Sequence, residues 1–153
     1  MVICTARIDT LSHYFELGFN MINGSCHCKS VQFVVNEKSL DVRKCYCETC
    51  RKLSGADYSV VALVNKSQFK IISSPQKLLQ YISKPGKTRH YCPTCFAPVF
   101  VEVEPQSNLC RIRLGLLDDN PEVNISGHMW VSEMPSWCSI SDNLPVFTHD
   151  YSE

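Results

Sequence analysis

Seven cysteines crowded into three short clusters constrain this chain more than any other feature of its sequence. They are Cys26-His27-Cys28, Cys45-Tyr46-Cys47-Glu48-Thr49-Cys50 and Cys92-Pro93-Thr94-Cys95, out of ten cysteines in 153 residues. Such density means disulfides or metal, and the N-terminus separates the two. Arg7 and Asp9 precede Leu11, Tyr14, Phe15, Leu17 and Phe19, with no continuous apolar run and no small-residue cleavage site, so no export signal is read. The expected compartment is the cytoplasm, where disulfides are rare. Metal ligation is therefore the expected role. Two thiolates from one tight turn reach the same ion at about 2.3 Å, and distant pairs complete a tetrahedron. The CxxC pairs Cys47/Cys50 and Cys92/Cys95 are a strong signal of that kind.

Clusters of two, three and two supply seven ligands, one short of two complete four-cysteine sites. A structural zinc is closed by four protein ligands, whereas a catalytic zinc keeps three and leaves a position for water or substrate. The expectation is one closed site and one open site, with two Zn2+ per chain and the open site holding its ion less firmly. Spacing alone leaves the pairing undecided. Two pairs can close one site and leave the three-cysteine cluster open. Equally, Cys47/Cys50 can join Cys92/Cys95 and leave Cys26, Cys28 and Cys45 over. The isolated Cys4, Cys110 and Cys138 read as small buried apolar residues; Cys110 alternates with Ile112 and Leu114 as in a strand. His27, His90 and His128 read as structural rather than ligating.

A chain of this length fits one domain that needs no disulfide staples. Its formal net charge of zero counts against a nucleic-acid partner, which calls for a basic face. No apolar run approaches the roughly 18–20 residues that span a bilayer, so no membrane partner is expected. Residues 1–21 read as an N-terminal extension with apolar positions suited to a short helix, Met21 being an alternative start. Residues 22–148 form the domain and 149–153 a tail. Val31, Phe33 and Val35 alternate, and further short strands are expected at 58–64, 69–72, 78–82, 99–103, 110–117 and 123–130. Ser-Pro, Pro-Gly, Glu-Pro and Asn-Pro turns separate them. The fold class is mainly β, with one helical turn near Cys50–Ser54 stopped by Gly55.

The ordered motifs carry a resemblance. Gly24-Ser25-Cys26-His27-Cys28, Cys45 to Gly55 and Tyr91-Cys92-Pro93-Thr94-Cys95 are followed by Gly115-Leu116-Leu117-Asp118-Asp119, His128-Met129-Trp130 and Trp137, with Asp142, Pro145 and Phe147. Over residues 22–148 this resembles the glutathione-dependent formaldehyde-activating enzyme family, which includes centromere protein V. The resemblance implies twisted antiparallel sheets with zinc-binding loops, similar to the methionine-R-sulfoxide reductase-like zinc fold. It implies that Cys26, Cys28, Cys92 and Cys95 hold a structural zinc, and that Cys45, Cys47 and Cys50 hold a second, catalytic one. It also implies carbon–sulfur lyase chemistry on a small thiol adduct such as S-hydroxymethylglutathione. Three positions depart from the family's pattern: Lys29 and Phe96 replace glycines that permit positive φ, and Tyr46 replaces a frequent histidine.

A zinc held by three thiolates would offer its fourth position to a substrate thiol and lower that thiol's pKa. Arg51 and Lys52, beside Cys50, read chiefly as surface cations, with attraction of an anionic thiol as the functional alternative. Asp118 and Asp119 read as a turn rather than an acid–base pair. Trp130 and Trp137 read as packing residues rather than pocket walls. The competing function is a non-enzymatic zinc module that binds a protein partner.

Overall fold

The computed structural model describes residues 21–74, 76–104 and 108–150, so Cys4 and the expected N-terminal helix lie outside the described residues. Ten strands are described: β1 (Met21–Ser25), β2 (Gln32–Asn36), β3 (Ser39–Cys45), β4 (Ser59–Asn65), β5 (Phe69–Ser73), β6 (Leu79–Lys84), β7 (Lys87–Tyr91), β8 (Pro98–Val103), β9 (Leu109–Arg113) and β10 (Glu122–Met129). Helix α1 (Glu48–Ser54) follows β3. The fold is mainly β.

The strands form two sheets. A small one has the order β1-β2-β5; a large one has the order β10-β3-β4-β9-β8-β7-β6. Every pairing is antiparallel except β10 with β3, which is parallel. The sheets are thus antiparallel with one parallel pair among the described strands. The two strands of that pair are far apart in sequence, so no hairpin forces a reversal between them.

Alternation decides which side of the large sheet is core. Leu40, Val42, Ala62, Val64 and Ile112 are fully buried in one core with Phe33 and Val35 of the small sheet and Val31 just before it. Each such side chain contributes about 1.5–3 kcal/mol by leaving water. Phe69 bridges the sheets, its ring 5.5 Å from Phe33 and 4.9 Å from Phe100. Gly24 is required by this packing: a Cβ there would lie 2.2 Å from the Phe33 ring and 2.8 Å from the Leu116 carbonyl oxygen.

The opposite parity makes the other face. Val61 pairs with Arg113, Arg111 with Val101, and Val101 with Arg89, so these residues form neighbouring rows across β4, β9, β8 and β7. Two of these strands, and β3, flank the functional loops. β3 ends in Cys45, and β7 and β8 flank Cys92 and Cys95. Strands β1, β3 and β7 were not among the expected ones. In β3 the charged Asp41 and Arg43 interleave the buried Leu40 and Val42, and in β7 the buried residues are Arg89 and His90.

Candidate metal centre

Two hairpin turns build the first thiol group. Cys26 and Cys28 lie between β1 and β2, and Cys92 and Cys95 between β7 and β8. All four Sγ atoms lie within 4.8 Å of one another. Cys26 is 3.5 Å from Cys28 and 3.6 Å from Cys92, and Cys28 is 3.8 Å from Cys92. Four sulfurs at 2.3 Å from one ion in a tetrahedron stand about 3.8 Å apart, so this donor set fits zinc. Backbone N–H groups support charge on sulfur: Val31 donates to Cys26 Sγ at 3.3 Å, and Thr94 and Cys95 donate to Cys92 Sγ at 3.4 and 3.5 Å. Burial pushes the Cys92 thiol up, but the Cys95 N–H, the Ser30 hydroxyl and the Thr94 N–H outweigh it and hold the thiol at about 6.

Among the described residues the second group has three donors. Cys45 ends β3, Cys47 caps α1 and Cys50 sits in its first turn, and their Sγ atoms lie within 4.8 Å of one another. The helix itself positions them, since Cys47 Sγ accepts the Cys50 N–H at 3.4 Å. Gly55, at φ 64, ends the helix with its N–H on the Arg51 carbonyl. Cys50 is held far below an ordinary thiol by hydrogen bonds from Cys45 and Cys47 and by Arg89, whose Nη2 lies 3.8 Å from its sulfur. Cys45 is pushed up by its hydrogen bonds with Cys47 and Cys50 and by burial. Three thiols gathered at this spacing suit a thiophilic ion such as zinc.

These three cysteines line a cleft of about 90 Å³ whose other walls are strongly basic. Lys84, Lys87, Arg89, Arg111 and Arg113 line it, with Glu133 as the carboxylate among the lining residues. Arg89 and Arg113 are 5% and 7% exposed, and the Nε of each is buried without a hydrogen-bond partner. Lys87 is pushed down by burial and then by repulsion from Arg111 and Lys84. Trp130 also lines the cleft, held in the left-handed region at φ 59 with its N–H on the His149 carbonyl. That is an unusual conformation for a bulky residue and is found preferentially at functional sites.

A family model described as glutathione-dependent formaldehyde-activating enzyme matches residues 21–133, more than half of the chain. The chain belongs to the glutathione-dependent formaldehyde-activating enzyme family. No curated protein matches it. A crystal structure of a Rhodobacter sphaeroides protein shares the fold at TM-score 0.53 with 22% identity, covering 70% of this chain and 99% of that one. Family membership links the chain to glutathione- and formaldehyde-related chemistry, and the two thiol groups are able to bind metal.

Against the family's pattern, Lys29 and Phe96 each adopt φ 60, so the turns keep a glycine conformation without glycine. Tyr46 is buried and turned away from the cleft: its hydroxyl meets His128 Nδ1 at 2.9 Å, and His128 Nε2 meets Asp142 at 2.8 Å. His90 is likewise spent, on Glu102 at 2.8 Å, and His27 is exposed. Asp118 and Asp119 tie down β1, accepting from the Ser25 hydroxyl and the Asn23 N–H. Arg51 donates to the carbonyls of Tyr46 and Glu133, and Lys52 pairs with Glu48 in solvent. Trp137 is exposed, while Trp130 lines the cleft, contrary to its expected packing role. The cleft's five cations escaped sequence reasoning. The alternation of Arg111 and Arg113 with Cys110 and Ile112 was the available signal.

Proposed function

We propose that this protein is a zinc-dependent carbon–sulfur lyase acting on a small hydroxymethyl thiol adduct. One observation carries the reading: the thiol group with only three donors among the described residues is the one that lines the basic cleft. On this reading Cys26, Cys28, Cys92 and Cys95 hold a structural zinc, and Cys45, Cys47 and Cys50 hold the second. The second zinc would supply a Lewis-acidic coordination position that favours thiolate over thiol near neutral pH.

The chain's own residues do the rest. In cleavage of RS–CH2–OH the carbon–sulfur bond breaks with its electron pair going to sulfur. The hydroxyl oxygen becomes the carbonyl oxygen of formaldehyde and gives up its proton. On this reading Glu133, the carboxylate among the cleft's lining residues, takes that proton; its Oε2 accepts the Glu48 N–H at 2.7 Å. Arg89, beside Cys50, offsets the negative charge that three thiolates bring to the ion. Trp130 forms part of the cleft wall. The reverse direction, adduct formation, uses Glu133 as its conjugate acid.

The test is formaldehyde release from an S-hydroxymethyl thiol by the zinc-loaded protein. Cys47→Ser should abolish turnover while the fold and one zinc persist. Cys92→Ser should instead cost solubility, since structural zinc contributes ~10–16 kcal/mol in small zinc peptides. Glu133→Gln should lower kcat by roughly 10²–10⁴-fold, the usual worth of a general base. Turnover that is absent for every adduct, with both zincs bound, would leave the protein a non-enzymatic zinc module.

A further inference from the structure

We infer that Arg51 is a positioning residue for the lyase reaction: its guanidinium joins the open thiol loop to Glu133, so that the donor set and the proton acceptor are held as one unit. The inference rests on the lyase reading above and deepens it, because it names what fixes the distance between the two working parts of that site. The first observation is where the side chain goes. Arg51 directly follows Cys50 in α1, and its Nε donates to the Tyr46 carbonyl at 2.9 Å while its Nη2 donates to the Glu133 carbonyl at 3.3 Å. Tyr46 is the residue between Cys45 and Cys47. The backbone of Arg51 is committed to the helix, its N–H on the Cys47 carbonyl at 3.0 Å and its carbonyl accepting the Gly55 N–H at 2.8 Å. One residue therefore grips the thiol loop, the helix and the segment that carries Glu133.

The second observation is how that segment is held. On one side it hangs from the C-terminal residues: the N–H groups of Trp130, Val131 and Ser132 donate to the carbonyls of His149, Phe147 and Thr148 at 3.0, 3.2 and 3.4 Å. None of those partners belongs to the thiol loop. On the other side, bonds cross to the loop itself. The Tyr46 N–H meets the Met129 carbonyl at 3.0 Å, the Glu48 N–H meets Glu133 Oε2 at 2.7 Å, and Arg51 meets the Glu133 carbonyl. Of these crossing bonds only that of Arg51 comes from a side chain of the loop, so it is the one that a substitution removes without touching the backbone.

The residue type fits the task. Two carbonyls lying in different directions need donors fixed apart in one plane, which a guanidinium supplies; an ammonium gathers its donors on one nitrogen. Both partners are neutral carbonyls, and the cation beside the Cys50 sulfur is Arg89, so the role of Arg51 is geometric. Its loss should then appear in kcat and leave thiol binding in place. A misplacement of about 1 Å by a change outside the chemistry costs up to roughly 10²-fold.

The experiment measures formaldehyde release from an S-hydroxymethyl thiol by zinc-loaded Arg51→Lys, Arg51→Ala, Glu133→Gln and the double variant that combines Arg51→Lys with Glu133→Gln. Arg51→Lys, which keeps the charge and loses the fork, should lower kcat by roughly 10–100-fold. Thiol affinity, read from the thiolate-to-cobalt absorption of cobalt-substituted protein, should change by less than about twofold. Guanidinium ion added to Arg51→Ala should restore kcat severalfold, and methylammonium should not. Because Arg51 acts through Glu133, the double variant should be no slower than Glu133→Gln alone. Should Arg51→Ala not fold, Arg51→Lys and the double variant still decide. Losses that multiply in the double variant, an unchanged kcat in Arg51→Lys, or a loss confined to thiol affinity would overturn the inference and leave the lyase reading intact. No turnover by the unaltered protein with both metals bound would sink the lyase reading and this inference with it.

Discussion

Replacing Lys29 and Phe96 by glycine should stabilise this protein. Both residues close the turns that carry the four-cysteine group, and both sit at φ 60. Their N–H groups bond back to Cys26 and Cys92 carbonyls at 2.8 and 3.1 Å, so the turn geometry is fixed by the thiol loops and not by these side chains. A residue with a Cβ loses roughly 1–2 kcal/mol in this conformation. Glycine avoids that loss but gives up roughly 0.5–1 kcal/mol of chain entropy on folding. The difference is about 0.5–1 kcal/mol per site, or about 1–2 kcal/mol for the double variant if the two add. Little packing is lost, because Lys29 is exposed and Phe96 is 66% exposed. For a chain of this size the double variant should melt roughly 2–8 °C higher. Circular dichroism melts of zinc-loaded protein at one fixed zinc concentration would read this. Alanine at the same positions keeps the Cβ and should give no such gain. Equal gains from alanine and glycine, or a lower midpoint with glycine, would refute the backbone argument.

Two further outcomes follow from the core. Gly24→Ala should destabilise the domain by about 1–3 kcal/mol, because its methyl group meets the buried Phe33 ring and a backbone oxygen that cannot withdraw; chemical denaturation measures it. Cys110 is pushed up to about 11 by burial, with Glu102 opposing Lys66 nearby. Its unfolded value is near 8.5, so the thiol's contribution is complete below that pH and is lost as pH rises toward 11. Cys110→Ala should therefore flatten the stability profile between about pH 8.5 and 11, a window in which zinc thiolates stay deprotonated. An unchanged slope would show that another group governs alkaline unfolding.

The chemistry of this chain was legible where residues act in clusters, and obscure where they act through strand pairing. The Cys26, Cys45 and Cys92 clusters announced metal ligation by spacing alone, and their count announced that one set is short of a donor. Spacing did not say which clusters meet, because that depends on β1–β2 and β7–β8 turns from different sheets coming together. The sheet-rich fold was readable from alternation in β2, β4, β8 and β10. Strands β3 and β7 were not, since Arg43, Lys44, Lys87 and Arg89 interrupt the apolar pattern there. That same interruption concealed the cleft. Arg89 reads as a surface residue until β7 is paired with β8, which sets it in register with Val101 and, beyond that, Arg111. Arg51 and Lys52, which adjoin Cys50 in sequence, read chiefly as surface cations, with attraction of an anionic thiol to the open group as the alternative. Helix geometry directs them instead to backbone carbonyls and to Glu48.

The account depends on one donor set being complete and the other waiting for a ligand. Zinc-edge X-ray absorption of reduced, fully loaded protein averages the two environments. It should show about 3.5 sulfurs and 0.5 lighter donors per zinc, rising to about 4 sulfurs when a bound thiol fills the open position. Four sulfurs per zinc from the outset, or no change at saturating thiol, would contradict it.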